Sequence, residues 1–415
     1  MLARMRRALR VLGPGLITGA ADDDPSGIAT YSQAGAAFGF GLLWAALLTL
    51  PLMAAVQLIC ARIGLATRQG LASVLRAHYP PWLLWGTCLL LLVANTVNIA
   101  ADLGGMAAAA ALVTGWRAIW FVPAFALLII GLLTFTSYQS MSVILKWMTL
   151  VLFAYVVAAF LARPNWTHVL VETAWPRTAI TGEYLLTLVA ILGTTISPYL
   201  FFWQAAQEAE DEAHQPRVSV RTLFRRATTD TSVGMFASNV IMYFIIVTTG
   251  ATLHPAGVTR IETAAQAAAA LRPLAGKGAA LVFAFGIVGT GLLAVPVLAG
   301  SAAYAITEAA RWRRGMDEKM WTAPHFYAII IMSTLVGVAL NYVHLDAMRL
   351  LFWSAVINGL LAPPMIVIIL LVSNNSRIMA GARNGLALNA LGGAAAIVMT
   401  LAAAAALWSS ITGRS

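Results

Sequence analysis

AADDDPSGIAT, residues 20–30, sets three consecutive carboxylates (Asp22, Asp23 and Asp24) beside Pro25, Ser26 and Gly27, inside a stretch that is otherwise apolar enough to cross a bilayer. Ionised groups in hydrocarbon are costly, so they face a cavity, a partner or a transported ion. Pro25 removes a backbone donor and Gly27 accommodates an interruption, and a broken helix frees carbonyl oxygens as further ligands. The stretch therefore predicts a discontinuous helix on a cation pathway.

The flanking chain is built for the same solvent. Of 415 residues, 60% are hydrophobic and only 10% charged, and the mean hydropathy is +0.82. Apolar stretches approaching the roughly 20 residues that a ~30 Å hydrocarbon core requires recur near residues 12–35, 40–61, 82–113, 118–136, 147–162, 184–206, 231–249, 278–307, 325–341, 350–373 and 386–411. The expected fold class is an all-α integral membrane protein.

Basic residues set the expected orientation. With Arg4, Arg6, Arg7 and Arg10 on the cytoplasmic side, Arg62, Arg68 and Arg76, then Arg217, Arg221, Arg225 and Arg226, then Arg311, Arg313, Arg314 and Lys319 fall on that side too. About 18 of the 26 Lys and Arg residues are then cytoplasmic, as expected for an inserted helical protein. A multi-pass protein of the plasma membrane, of the bacterial inner-membrane type, with a cytoplasmic N-terminus is predicted. The +10 net charge is divided among short loops, which argues against a nucleic-acid partner. The Arg-rich start runs into GPGLITGAADDD without the continuous apolar core of a signal peptide, so a retained tail is expected. Cys60 and Cys88 lie in apolar segments without metal-ligand spacing and read as small buried side chains.

A second interruption matches the first. Gly193-Thr194-Thr195-Ile196-Ser197-Pro198-Tyr199 puts a proline and several polar groups inside the sixth apolar stretch, where proline breaks the backbone ladder. The interruptions lie five spans apart, and five spans reverse the chain direction, so spans 1–5 and 6–10 would be inverted repeats whose breaks meet near the midplane. The expected divisions are a cytoplasmic tail (1–11), a first five-helix repeat (12–162), an external connection (163–183), a second repeat (184–373) and an eleventh helix with the C-terminus (374–415). If Pro25 and Pro198 merely kinked two packed helices, the carboxylates would have no explanation.

At these residues the chain resembles the natural-resistance-associated macrophage protein (Nramp) family of divalent-metal transporters, and in particular its magnesium-transporting branch. Asp24-Pro25-Ser26-Gly27-Ile28-Ala29-Thr30, followed by Gln33-Ala34-Gly35, is similar to the family's first-helix pattern Asp-Pro-Gly-Asn-Phe-Ala-Thr with its downstream Gln-Ala-Gly. QLICARIGLATRQGLASVLRAHYP (57–80) resembles the family's second span and loop, and the sixth-span motif occupies the place of its Met-Pro-His. The resemblance implies a LeuT-like fold of two inverted five-helix repeats plus an eleventh transmembrane helix. It also implies a metal site from Asp24, Gly27, Thr194 and Ser197: the aspartate is kept, Gly27 stands for an asparagine, Ser197 for a methionine, and Thr194 supplies a backbone carbonyl.

The substitutions bear on the ion. Loss of a soft thioether leaves hard oxygen ligands suited to magnesium or manganese, and smaller side chains widen the site, which suits a magnesium ion that keeps several waters. The resemblance also places the family's proton-handling groups: Tyr199 stands at the histidine position, Asp102 keeps the aspartate, and Gly105 replaces the glutamate. Tyrosine has a reference pKa near 10 and glycine does not titrate, so weak or absent proton coupling is expected, with Asp24 and Asp102 as the remaining exchangeable groups.

The expectation is uptake of magnesium, also manganese, by alternating access through a partly hydrated midplane site. The transported ion is the only ligand: no cofactor, enzymatic activity or obligatory protein partner is implied, and a monomer in the bilayer suffices. Asp22, Asp23, Tyr199, Asp102, Asn239 and Asn358 are candidates for the surrounding shell or vestibule. Asp22 and Asp23 cannot share a helical face with Asp24, and capping of the following helical half is the alternative role for one of the three. Interhelical hydrogen bonding is the alternative for Asn358. The acidic run Gln207-Glu208-Ala209-Glu210-Asp211-Glu212 reads as a solvated helix extension. His254, His325 and His344 lack paired spacing for zinc. Two readings stay open beside this one: a proton-coupled manganese or iron symporter, and an amino-acid symporter of the same fold, which three aspartates beside the break would oppose.

Overall fold

The computed structural model describes residues 13–135, 150–214, 219–343 and 346–412. The N-terminal arginines, Arg217 and His344 lie outside these, as does the Arg221 side chain. Every regular element among the described residues is helical.

The first span is two helices, α1 (Pro14–Asp22) and α2 (Pro25–Phe38). Each begins with a proline in its first turn, where the missing N–H would have had no helical partner. Asp23 leaves the helical region at φ −85°, ψ 49°, and Asp24 is extended at φ −68°, ψ 170°. Then follow α3 (Trp44–Thr67), the short α4 (Leu71–His78), α5 (Pro81–Thr114) and α6 (Ala118–Phe135). The fifth position is held by α7 (Phe153–Leu161); α8 (Trp166–Ala174), in the expected connection, bends from it by 116°.

The second half repeats the opening. Helices α9 (Gly182–Thr195) and α10 (Pro198–His214) form a broken span, with Ile196 at φ −124°, ψ 60° between them. Next come α11 (Val220–Thr252), the short α12 (Ala264–Ala269) and α13 (Arg272–Ala275), then α14 (Ala279–Ala310), α15 (Pro324–Asn341) and α16 (Ala347–Asn374). A single turn, α17 (Ser376–Met379), leads into α18 (Leu386–Thr412). Nine spans among the described residues are long and apolar enough to cross a membrane, ten if the bent α7–α8 pair counts as one. The split α1–α2 pair covers the first expected stretch and is not counted among these spans. The chain is a multi-pass integral membrane protein.

Burial sorts the helices. In the α9–α10 span 89% of the apolar window is buried within the protein, against 22% in α6, so the broken helices are central and α6 faces lipid. Glycine makes the central contacts close. Gly19 of α1 lies on the Gly234 backbone of α11, Gly35 of α2 on Ile246 and Gly250, and Gly193 of α9 on Ala355 and Gly359 of α16. Without a hydrophobic force between helices in lipid, such backbone approach supplies the packing energy.

Candidate metal centre at the two helix breaks

Asp24 closes the first break. Its Oδ1 accepts from the Gly27 N–H (2.6 Å) and from Ser26 Oγ (2.7 Å), and its Oδ2 accepts from Asn98 Nδ2 of α5 (3.0 Å). It thus caps α2, satisfying a donor that helix geometry leaves open, and it is 2% exposed. Gly27 borders the same carboxylate: a Cβ there would lie 3.4 Å from Asp24 Oδ1 and 3.3 Å from Tyr31 Cε2. The Tyr31 ring therefore takes one side of the room expected at position 27.

At the second break Ser197 Oγ lies 2.7 Å from both the Gly193 and the Thr194 carbonyl oxygens, so the carbonyl freed by the interruption already meets a hydroxyl. Thr194 Oγ1 donates to Tyr31 OH at 2.8 Å. Tyr199 OH donates to the Ala21 carbonyl at 2.9 Å, while its own carbonyl accepts from Ser301 Oγ at 2.7 Å. The two breaks are thereby joined by side-chain hydroxyls.

Asp22 and Asp23 are buried rather than lining an open vestibule. Ser238 Oγ of α11 lies 2.7 Å from Asp22 Oδ2 and 3.1 Å from Asp23 Oδ1, and Asp22 Oδ1 has no hydrogen-bond partner among the described residues. Asp102 of α5 is fully buried with neither carboxylate oxygen hydrogen-bonded among those residues. Gly105, one turn on, faces apolar surroundings: a Cβ there would lie 2.9 Å from Leu351 Cδ1, with Ala29, Phe283 and Ile287 nearby.

Asn239 sits elsewhere. Its Nδ2 donates to the Ala46 carbonyl (3.0 Å) and its Oδ1 accepts from Thr49 (3.0 Å), bracing α11 on α3. Asn358 is buried beside the α9–α16 crossing at Gly359. The acidic run is part of α10, but Gln207, Glu208 and Glu212 are buried rather than solvated. Gln204 Nε2 donates to Glu208 (2.9 Å), Gln207 Nε2 to Tyr304 (3.0 Å), and Arg68 pairs with Glu212 (2.8 Å). Helix packing against α3 and α14 covers charges that a linear reading leaves in water. Cys60 and Cys88 are buried free thiols, and His325 stacks on Trp312.

Three residues of this centre are absent from the sequence-derived set: Asn98, Tyr31 and Ser238. Only Asn98 carried a signal, its position one helical turn before Asp102. Among the described residues, no group of three or more His, Cys, Asp or Glu side chains is arranged to hold a metal. An ion at the breaks must therefore draw on neutral oxygens and water beside no more than two carboxylates.

Two recesses approach the centre, and neither includes a residue of the breaks. A cavity of ≈ 690 Å³ descends from the C-terminal side of α2 to Ala29 and Thr187, lined also by Gln33, Met348 and Phe352. Arg260 and Glu183 pair across its lining at 3.7 Å. On the opposite side a recess of ≈ 310 Å³ is lined by Arg68, Glu210, Glu308 and Arg314 and includes no residue of either break.

Residues 15–409 match the family model described as natural resistance-associated macrophage protein-like. The divalent metal cation transporter MntH of Brucella suis biovar 1 is 28% identical over 297 residues, 70% of this chain and 65% of that protein, so the match spans somewhat under two thirds of the relative's length. A crystal structure of the Eremococcus coleocola manganese transporter superposes with a TM-score of 0.76 at 19% identity, covering 95% of this chain and 85% of that one. Mhp1, a nucleobase-cation-symport-1 family transporter in a closed conformation, gives a TM-score of 0.58 at 14% identity over 97% of this chain and 93% of its own. These two likenesses concern the fold, the LeuT-like bundle of inverted five-helix repeats with an added eleventh helix.

Proposed function

The chain belongs to the natural-resistance-associated macrophage protein-like family, and on that premise we propose that it is a divalent-metal transporter, not an enzyme, moving magnesium and also manganese through the paired breaks. The observation that carries this reading is Asp24: a buried carboxylate at a helix interruption that the Tyr199–Ala21 hydrogen bond ties to the second interruption, with a cavity reaching Ala29 further along α2. Residues 22–27 and 193–199 contain no Cys, Met or His. Carboxylate, carbonyl, hydroxyl and water are the ligands of magnesium and manganese, whereas iron gains from sulfur or imidazole.

Weak or absent proton coupling is part of the proposal. Tyr199 spends its hydroxyl on the Ala21 carbonyl, and Gly105 lies against Leu351, so two positions of the family's proton route offer no titrating group near neutral pH. An inside-negative potential drives a divalent cation inward by ~4.6 kcal/mol per 100 mV, sufficient for uptake without a second ion. The orientation with the N-terminus in the cytoplasm would make the ≈ 690 Å³ cavity the external mouth.

The test is flux of magnesium and of manganese into vesicles holding the purified chain, with internal pH followed in the same vesicles. Magnesium influx without acidification supports the proposal. Manganese-selective influx with acidification would replace it by proton-coupled symport; manganese is the ion in the name of the similar Eremococcus coleocola transporter. Stabilisation by an amino acid with no metal flux would turn the assignment toward organic substrates.

A further inference from the structure

The hydrogen bonds around the breaks are distributed unevenly. On the α9–α10 side the acceptors are engaged: the Gly193 and Thr194 carbonyls meet Ser197, and the Tyr31 hydroxyl accepts from Thr194. On the α5 side they are not. Asn98 spends its amide donor on Asp24 Oδ2, but its Oδ1 has no donor among the described residues, and neither do Oδ1 and Oδ2 of Asp102. Both residues are fully buried. Asn98 and Asp102 lie one helical turn apart and so project from the same face of α5. Asp102 lies within electrostatic reach of Asp24, and the Ser26 amide faces it short of hydrogen-bond geometry.

Buried acceptors of this kind are satisfied by a donor, by water or by a cation. Asp24 Oδ1 already takes two donors and Oδ2 one. A carboxylate oxygen accepts about two, so the remaining capacity of Asp24 is on the oxygen turned toward α5. Resting on the transport reading above, we propose that the carried cation is held on the α5 side of the break, by Asp24 Oδ2, Asn98 Oδ1 and the Asp102 carboxylate. Waters complete the shell. Asn98 and Asp102 are then ligands rather than bystanders, and the α9–α10 carbonyls contribute only after Ser197 rotates away. All three ligands are hard oxygens, the class that divalent magnesium and manganese share.

The test is binding of Mn²⁺ and Mg²⁺ to the purified full chain by titration calorimetry at one fixed pH. Asp102→Asn removes the charge at constant shape and should weaken Mn²⁺ binding about tenfold or more. Asn98→Asp keeps the ligand oxygen but loses the donor to Asp24; it should bind at least as tightly as the parent chain, whereas a purely structural hydrogen bond would make it bind worse. Unchanged affinity in Asp102→Asn, including the case where only the pH dependence of transport changes, overturns the proposal. If Asp102→Asn does not fold, anomalous scattering from Mn²⁺ in the parent chain decides: a peak in contact with Asp102 supports it, and a peak against the Thr194 carbonyl away from Asp102 overturns it. Failure of the parent chain to bind either metal would instead remove the transport reading itself.

Discussion

Tyr199 at the start of α10 donates its phenol hydroxyl to the carbonyl of Ala21 near the end of α1, at 2.9 Å. The bond joins the two interruptions directly, and both partners are fully buried. Tyr199→Phe leaves the Ala21 carbonyl without that donor, a loss of about 1–3 kcal/mol for a buried acceptor. The expected outcome is a folded chain with a lower melting temperature and slower metal flux, measured by thermal denaturation and vesicle uptake. Unchanged flux would show that the tie does not hold the breaks in register.

Asp24 combines capping with charge, and two substitutions separate these roles. Asparagine caps helices about as well as aspartate, so Asp24→Asn should keep the parent melting temperature and lose metal uptake. Asp24→Ala should lose uptake and also about 0.5–2 kcal/mol of stability, the usual cost of a missing cap. Parent-level uptake by a folded Asp24→Asn protein would end the metal assignment.

Ser238 is the hydroxyl shared by Asp22 and Asp23. Ser238→Ala strips two buried carboxylates of that contact, and the expected loss is about 1–3 kcal/mol, larger than at an exposed serine. Denaturation of the purified variant beside the parent chain checks it.

The α1–α11 crossing depends on glycine. A Cβ on Gly19 would meet the Gly234 backbone, and backbone cannot step aside as a side-chain end can. Gly19→Val should force α1 off α11 and yield aggregated or poorly inserted protein; size-exclusion chromatography reads the result. Gly86, with open space around its position, serves as the control, and Gly86→Ala should elute as the parent does.

Restoring the family's glutamate offers a test of coupling. Gly105→Glu would push a carboxyl group against Leu351, among apolar neighbours that supply no donor. Desolvation without a partner costs several kcal/mol. The expected result is reduced stability without metal-driven acidification, followed by internal-pH recording; acidification would show that one residue suffices to re-establish the proton route.

The described spans follow the apolar stretches closely because hydropathy is a local property. Residues 118–136 became Ala118–Phe135, and residues 386–411 became Leu386–Thr412. Helix α11 begins at Val220 rather than near 231, since a helix can continue into a polar segment where its solvent-side residues need no apolar pattern. The interruptions at Asp24 and Ser197 were equally legible, because proline and clustered polar groups act on their own backbone.

Partners across the bundle were not legible. That Asn98 reaches Asp24, that Ser238 serves Asp22 and Asp23, and that Asn239 instead braces Ala46 and Thr49 are matters of helix rotation and crossing. Glycine contacts such as Gly19 with Gly234 set those crossings over more than 200 residues of chain. The sequence by itself determined the membrane class, the apolar spans and the two breaks, since these follow from composition and backbone chemistry near each residue. Only the tertiary structure decided which oxygens around Asp24 are already hydrogen-bonded and which stay available to an ion. That depends on donors brought from α5, α9 and α11, and no local pattern encodes their distance.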